Sequence, residues 1–279
     1  MVDESMDKEQ MKQPPQPWEF RSKPAWQRLI IMLGGVTMNV LMAFVLYAMI
    51  LYTWGEKKIP MSGLTYGVSV TDSLMYEMGF RNGDKILSVN GEPITYFDDL
   101  TKKLLLGENV AIERDGQKQT IKLPVNLIGK LIEKKRTGLP FFMPRIPVIA
   151  DLVPDTSNAY KAGLRRLDQV TAVEGIATPF YEEYKKAVDA HKGEMVTLSI
   201  DRNGKSDSLH ANVTADGTLG FYRLGDMETL DSLGLIRIER KQYGFLASFP
   251  AGVHLAGETL KSYIDQLKKV RYPETGAYK

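Results

Sequence analysis

Three histidines, His191, His210 and His254, are the side chains of this 279-residue chain best suited to hold a metal ion. A catalytic zinc keeps about three protein ligands and one open position, so its ligands must converge. These three lie far apart in the sequence and outside the long apolar run, and no second histidine stands one helical turn from any of them. They are expected at the surface or at helix caps, with no metal site and no catalytic residue among them. Zero cysteines remove disulfides, thiolate metal sites and cysteine nucleophiles together. A net charge of +2 leaves no nucleic-acid footprint.

A second kind of pattern occurs twice. Met78-Gly79-Phe80-Arg81-Asn82-Gly83-Asp84 leads to Val89-Asn90-Gly91, and Ala162-Gly163-Leu164-Arg165-Arg166-Leu167-Asp168 leads to Val173-Glu174-Gly175, 84 residues later. Its physical sense is a helix closed by a left-handed glycine, Gly79 or Gly163, and a strand that starts after Asp84 or Asp168 and ends in a tight turn. The turns Arg114-Asp115-Gly116 and Arg202-Asn203-Gly204 correspond at a slightly longer offset. A period of this size marks duplicated domains, because solenoid units are usually about 20 to 50 residues long. Between the turns, β-type stretches such as Tyr66 to Val70, Lys85 to Val89 and Val196 to Ile200 alternate with short helical stretches near Asp98 to Leu106 and Tyr181 to His191.

Before the repeats runs an uncharged apolar stretch from Leu29 to Leu51, 23 residues. At about 1.5 Å per residue it reaches roughly 35 Å as a helix, enough to cross a hydrocarbon core of about 30 Å. The mixed-charge residues ahead of it do not fit a signal peptide. Trp18, Trp26 and Trp54 lie near its ends, where amphipathic rings prefer the headgroup level. Lys8, Lys12, Arg21, Lys23 and Arg28 precede the span, and Lys57 and Lys58 follow it, so the positive-inside bias puts the N-terminus in the cytoplasm and the repeats across the membrane. Pro14-Pro15-Gln16-Pro17 reads as an extended spacer.

The duplicated pattern resembles the PDZ domain in its bacterial arrangement. That resemblance implies peptide binding by strand addition beside a sheet edge, with a loop of backbone N–H groups receiving a terminal carboxylate. Tyr66-Gly67-Val68 looks like that loop, and Val68 to Thr71, including Val70, like the pairing strand. In the second copy Pro147 occupies the nearest matching place and would remove a donor. The second groove is therefore expected to be the poorer one, and a pair acting only as a rigid spacer or gate is the alternative.

Phe20, Lys23, Gln27-Arg28, Gly35, Asn39 and Ala43, with Met1-Val2-Asp3-Glu4, follow the spacing around the second transmembrane helix of RseP-type site-2 intramembrane metalloproteases. With the tandem repeat and the Tyr243 to Phe249 stretch, the likeness runs from Met1 to Val270, departing at Val36, where the family often has proline. It implies hydrolysis of a peptide bond in the membrane, typically of an anti-sigma factor already trimmed by another protease, in the bacterial inner membrane with periplasmic PDZ domains. The family's zinc is held by His-Glu-x-x-His and by an Asp-Gly motif on a later membrane helix; this chain has no His-Glu-x-x-His and no second spanning apolar run after Leu51 to carry the other. The expectation is a fragment without cofactor of its own, inactive alone, that selects a membrane protein substrate. A noncatalytic single-pass PDZ scaffold is the alternative. Gly35 and Asn39 would face the active-site side, since an amide inside a membrane helix needs a reason; helix packing is its other explanation.

The expected fold is α+β. A cytoplasmic or membrane-associated segment (1–28) precedes a transmembrane helix (29–52). Two PDZ domains (62–140 and 141–222), each a small β-barrel or sandwich with short helices, and a C-terminal amphipathic helical segment (223–279) follow. In that segment Leu246, Phe249, Val253, Ala256, Leu260, Tyr263, Leu267 and Val270 recur at steps of three and four, one apolar stripe. It is read as a packing face, or as a face on the membrane surface with Lys261, Lys268 and Lys269 toward headgroups. Pro250 is tolerable in a first turn, which starts this helix near Ser248.

Overall fold

The computed structural model describes residues 16–17, 19–133 and 140–271. Residues 1–15, with Lys8, Lys12 and Pro14-Pro15, and also Trp18, residues 134–139 and the tail beyond Arg271 lie outside the described residues, as do the side chains of Arg21, Lys269 and Val270. Helix α1 (Ala25–Trp54) contains the apolar run and extends beyond both its ends. It carries no charge between Arg28 and Glu56. Among the described helices it is the one long and apolar enough to cross a membrane. Trp26 and Trp54 stand exposed at its two ends. Gly55 stops it at φ 69°, donating its N–H to Leu51 O.

Residues 57–240 form a compact unit of two modules built alike. The first comprises β2 (Val68–Val70), α2 (Ser73–Glu77), β3 (Lys85–Val89), β4 (Glu92–Pro93), α3 (Leu100–Leu106), β5 (Asn109–Arg114), β6 (Gln117–Lys122), α4 (Leu127–Glu133) and β7 (Phe142–Pro144). Its sheet runs β4-β3-β5-β6, with β2 and β7 as a separate antiparallel ribbon. The second comprises β8 (Val148–Ile149), α5 (Asn158–Lys161), β9 (Gln169–Val173), β10 (Ile176–Ala177), α6 (Tyr181–Ala190), β11 (Met195–Arg202) and β12 (Lys205–Asn212). Here the order is β10-β9-β11-β12, and β8 also pairs with β9. Strand β1 (Glu56–Lys58) pairs with β13 (Glu239–Lys241).

The repeated Gly-to-Asp pattern folds around one ion pair per module. Gly79 and Gly163 take φ 100° and 99° at the ends of α2 and α5. The chain then turns so that Asp84 and Asp168, 0% and 1% exposed, point inward. Arg114 Nε and Nη2 donate to the two Asp84 oxygens at 2.7 and 2.8 Å, and Nη2 also reaches Gly79 O at 2.8 Å. Arg202 repeats this on Asp168 at 2.7 and 2.6 Å and on Gly163 O at 2.7 Å. The N–H of Arg81 or Arg165 supplies the third donor, at 2.8 and 2.7 Å. The two arginines end β5 and β11, so each pair ties the helix-closing turn to the sheet. A buried carboxylate is tolerable only with such full pairing.

The apolar cores do not divide where the sequence divides them. The first module's core, with Phe80, Leu104 and Ile112, also holds Phe141, Phe142 and Ile149 and takes Leu224, Leu230, Ile236 and Ile238 from beyond the second module. Helix α7 (Met227–Ser232) and β13 thus lie in the stretch 223–241, expected as the start of a helical tail, and its apolar residues complete the first core. Val148, Leu164, Val170, Leu198 and Leu219 build the second.

Helix α8 (Phe245–Arg271) starts one turn earlier than its proline suggests. Phe245 packs edge-on against Tyr52 of α1 at 5.7 Å and against Phe249 at 5.4 Å, and Ser248 N–H donates to Gly244 O. These contacts hold the first turn, and Pro250 falls in the second. The face that α8 buries is also different. A Cβ on Gly252 would lie 2.7 Å from the Ala48 backbone, and Ser248 is 1% exposed. Gly252 is buried and Ala256 and Thr259 are half-buried, a row of small residues at steps of four and three that lets two helices approach closely. Leu246, Leu260 and Leu267 of the apolar stripe are 82%, 61% and 69% exposed. Of the stripe, Ala256 shares the half-buried row, and these three leucines lie off it.

Candidate functional site

Gly67, Val68 and Val70 do not present free donors. Gly67 N–H bonds Leu64 O, Val68 N–H bonds Asp84 O, and Val70 N–H bonds Asn82 Oδ1 at 2.7 Å. Gly67 is required by close approach: at φ 69° its Cβ would stand 2.6 Å from the carbonyl oxygens of Gly83 and Asp84. Tyr66 packs on Phe180 at 5.2 Å, and Val70 is buried. The expected pairing strand is itself covered, because β7 lies along it with Val68 opposite Pro144 and Val70 opposite Phe142. The geometry therefore places the open edge elsewhere than Tyr66–Val70.

Matching the two modules by hydrogen bonds finds that edge. Val68 exchanges bonds with Asp84 O and Gly83 N–H; Ala150 exchanges them with Asp168 O and Leu167 N–H. Opposite Val68 stands Pro144, and opposite Ala150 stands Arg223. The outer strand is thus β7 in the first module and residues 221–223 in the second. Tyr222 turns both main-chain groups inward, to Leu152 O and Asp151 N–H. Phe221 and Arg223 alternate with it and turn theirs outward, where they meet no partner among the described residues. In the first module the equivalent of Arg223 is a proline, which has no N–H to offer. The second module therefore has the more complete set of outward main-chain donors. Pro147 stands elsewhere, bridged to Phe180.

Local sequence explains this edge. Leu219 is buried and its carbonyl accepts the N–H of Ala159 at 2.8 Å. Gly220, at φ 81°, lies so near Ser157 that a Cβ would come within 2.9 Å of that side chain. Phe221 packs edge-on to Tyr184 of α6 at 5.8 Å. The signal available in the sequence is Leu219-Gly220-Phe221, a glycine between apolar residues at the end of the copy, whereas Tyr66-Gly67-Val68 stands at the beginning of its own.

Beside this strand α6 forms the wall of two adjoining hollows. One, of 680 Å³, lies along residues 217–223, Tyr181 and Tyr184. The other, of 880 Å³, opens between α6 and the β2–β7 ribbon, and Ser69, Met143, Ile146 and Met227 line it. Tyr181, Lys185 and Arg223 border both. Arg223 lays its guanidinium 3.6 Å from the Tyr181 ring centre. The residue is exposed by area, yet desolvation of its charged end lowers its pKa from the usual guanidinium value, opposed by Tyr181, Glu182 and Tyr184. Burial pushes the Tyr184 hydroxyl up. Lys185 is bonded to Asp189 at 2.6 Å and to Gly217 O, and this bond holds Asp189 below the ordinary carboxylate range. Arg145 stacks on Phe180 at 3.7 Å and bonds Glu182 and Glu183, fixing α6 against the end of β7.

The remaining candidates stand apart. Gly35 and Asn39 are exposed on α1, one turn from each other. Phe44, Tyr47, Ala48 and Leu51 form the covered face of that helix, and at about 100° per residue Asn39 lies roughly opposite Ala48. His191 bonds Glu194 at 2.8 Å, His210 lies 3.4 Å from Thr197, and His254 lies 3.6 Å from Glu258. Each histidine thus has a separate local neighbour, and the described residues hold no group of three or more His, Asp or Glu able to bind a metal. They do not fit a zinc site.

Comparison with known proteins gives matches of both kinds. The family profile described as Peptidase family M50 matches residues 2–276. A Neisseria meningitidis protein carrying the name zinc metalloprotease, NMA0084, is 26% identical over 200 residues, 68% of this chain and 44% of the relative. The regulator of sigma-W protease RasP of Bacillus subtilis is 28% identical over 136 residues, 47% of this chain and 31% of the relative. This chain spans less than half the length of either. Among solved structures, the PDZ domain of an SdrC-like protein from Listeria monocytogenes aligns at 21% identity and a TM-score of 0.26, covering 30% of this chain and 90% of that one.

Proposed function

Starting from a chain that belongs to peptidase family M50, the site-2 proteases, we propose that it is the membrane-anchored, substrate-selecting portion of an RseP-type intramembrane zinc metalloprotease. Its two modules are read as PDZ domains. The observation that carries the reading is the open edge of residues 221–223 in a duplicated β module that follows an apolar helix. An extended peptide adds to such an edge through main-chain bonds, while the neighbouring hollows accept alternate side chains. The peptide comes from a membrane protein substrate, for which a trimmed anti-sigma factor is the leading class; a relative named for sigma-W regulation supports it. The basic residues ahead of α1 support a cytoplasmic N-terminus in a bacterial inner membrane and periplasmic modules.

Zinc and its ligands belong to other segments of the whole protein, and no step of the reaction is assigned to residues of this chain. Gly35 and Asn39, on the face of α1 away from Ala48, are proposed to pack toward those catalytic helices. Gly67 keeps the first module in shape, and Val70 and Ser69 floor the larger hollow.

The test compares the whole protein with and without Phe221→Pro, which deletes one outward N–H. Zinc content and cleavage of a membrane-embedded model substrate are measured together. The reading expects unchanged zinc and at least about a tenfold fall in cleavage, about 1.4 kcal/mol, the scale of one main-chain bond. Equal cleavage by both would refute substrate capture at this edge.

A further inference from the structure

We propose that the edge at residues 221–223 selects peptides with an acidic side chain set back from their end, and that Arg223 is the specificity-determining residue. This rests on the reading of that edge as the peptide site and adds the chemistry of what it takes.

The argument begins with charge accounting along α6. Of the cations bordering the two hollows, Lys185 is neutralised by Asp189, and Glu182 and Glu183 are committed to Arg145. Arg223 and Lys186 have no carboxylate within ion-pair distance among the described residues, and both line the larger hollow. Arg223 is held in place without one, by the Tyr181 ring. A guanidinium over an aromatic face keeps its in-plane N–H donors free for a planar carboxylate. The same hollow is lined by Met143, Ile146 and Met227 as well as by the already paired Glu182 and Asp189, and against its apolar part a carboxylate would be partly desolvated and its charge-assisted bonds strengthened.

Position chooses between a side chain and a peptide terminus. Arg223 lies three residues beyond Gly220, about 10 Å along an extended strand. A peptide whose end abuts the glycine turn therefore brings an internal residue, not its terminal carboxylate, to Arg223. In the first module Pro144 occupies this place, so the selection is confined to one of the two copies.

The probes are fluorescein-labelled eight-residue peptides of Ala, Val and Thr, binding the full chain in nanodiscs by fluorescence polarisation. One carries Glu three residues from an amidated end, one carries Gln there, and one has Gln with a free terminal carboxylate. The expected result is about a tenfold or greater preference for Glu over Gln in the wild type, falling to about onefold in Arg223→Gln. A Glu preference that survives Arg223→Gln overturns the inference but leaves the edge reading intact. A preference only for the free terminus also overturns it. Binding that Phe221→Pro leaves unchanged refutes the edge reading itself, and so does absence of binding by any peptide.

Discussion

Replacing Asp168 by alanine should loosen the second module and spare the first, because each copy is closed by its own buried ion pair. Asp168 is 1% exposed and accepts three hydrogen bonds, from Arg202 Nε at 2.7 Å, Arg202 Nη2 at 2.6 Å and Arg165 N–H at 2.7 Å. Its removal leaves a guanidinium and an amide without their acceptor. Breaking a fully buried pair costs about 3 to 5 kcal/mol. The Arg202 side chain keeps 35% of its surface open, so water recovers part of the loss, and the low end, about 3 kcal/mol, is expected. That is about a 150-fold rise in the opening equilibrium. Hydrogen exchange by mass spectrometry reads it locally: amides of β9 and β11 should exchange about two orders of magnitude faster, with those of β3 and β5 unchanged. Asp84→Ala should give the mirror result, since Arg114 holds Asp84 in the same way. The double change Asp168→Leu with Arg202→Met, apolar at both places, should recover much of the loss. An acceleration below about fivefold in Asp168→Ala, or one shared equally by both modules, would refute the claim that the pair closes its own copy.

Gly67→Ala adds a methyl at positive φ and within 2.6 Å of two carbonyl oxygens, so the first module should lose about 2 kcal/mol or more, seen as faster exchange in β2 and β3. Gly252→Leu should part α8 from α1. Because the chain has no native cysteine, a Tyr52→Cys, Phe245→Cys pair reports this as a fall in disulfide yield. Glu228 is held below the usual carboxylate range by Lys57 and Arg240, and Asp231 by the Ile238 N–H and Arg240. Carboxylates lowered in the folded state stabilise it above their unfolded pKa, about 4, and lose that contribution as pH falls through the folded value. Protection of α7 and β13 should therefore be constant from pH 7 to about pH 5 and decline below pH 4; a decline on raising the pH would contradict the sign.

The sequence carried local geometry well and long-range pairing poorly. Gly79, Gly163 and the Asn90-Gly91 turn have backbone angles that the residue types demand, and strands such as Lys85–Val89 follow from alternation and turn signals. Asp84 and Asp168 were legible as positions before a strand but not as buried charges. Their partners, Arg114 and Arg202, stand 30 and 34 residues away, and only the fold joins them. Tyr66–Val70 reads as an open edge because a glycine before a β-type stretch looks alike whether its donors are free or spent; Leu64, Asp84 and Asn82, which take those donors, are tertiary or turn neighbours. On α8 the large apolar residues recur periodically, yet a helix that meets another at Ala48 and Gly252 is seated by its smallest residues, which periodicity of large side chains does not register.

The return of Leu224, Leu230, Ile236 and Ile238 into the first core sets an order of events during biosynthesis. The module whose strands leave the ribosome first cannot close until about a hundred further residues have followed, whereas the second module has its whole core, ending at Leu219, beforehand. The later-made module is thus the first able to finish. Until then the earlier one waits with part of its apolar interior open, and a nascent chain halted near residue 222 would present that unfinished surface to whatever chaperones meet it.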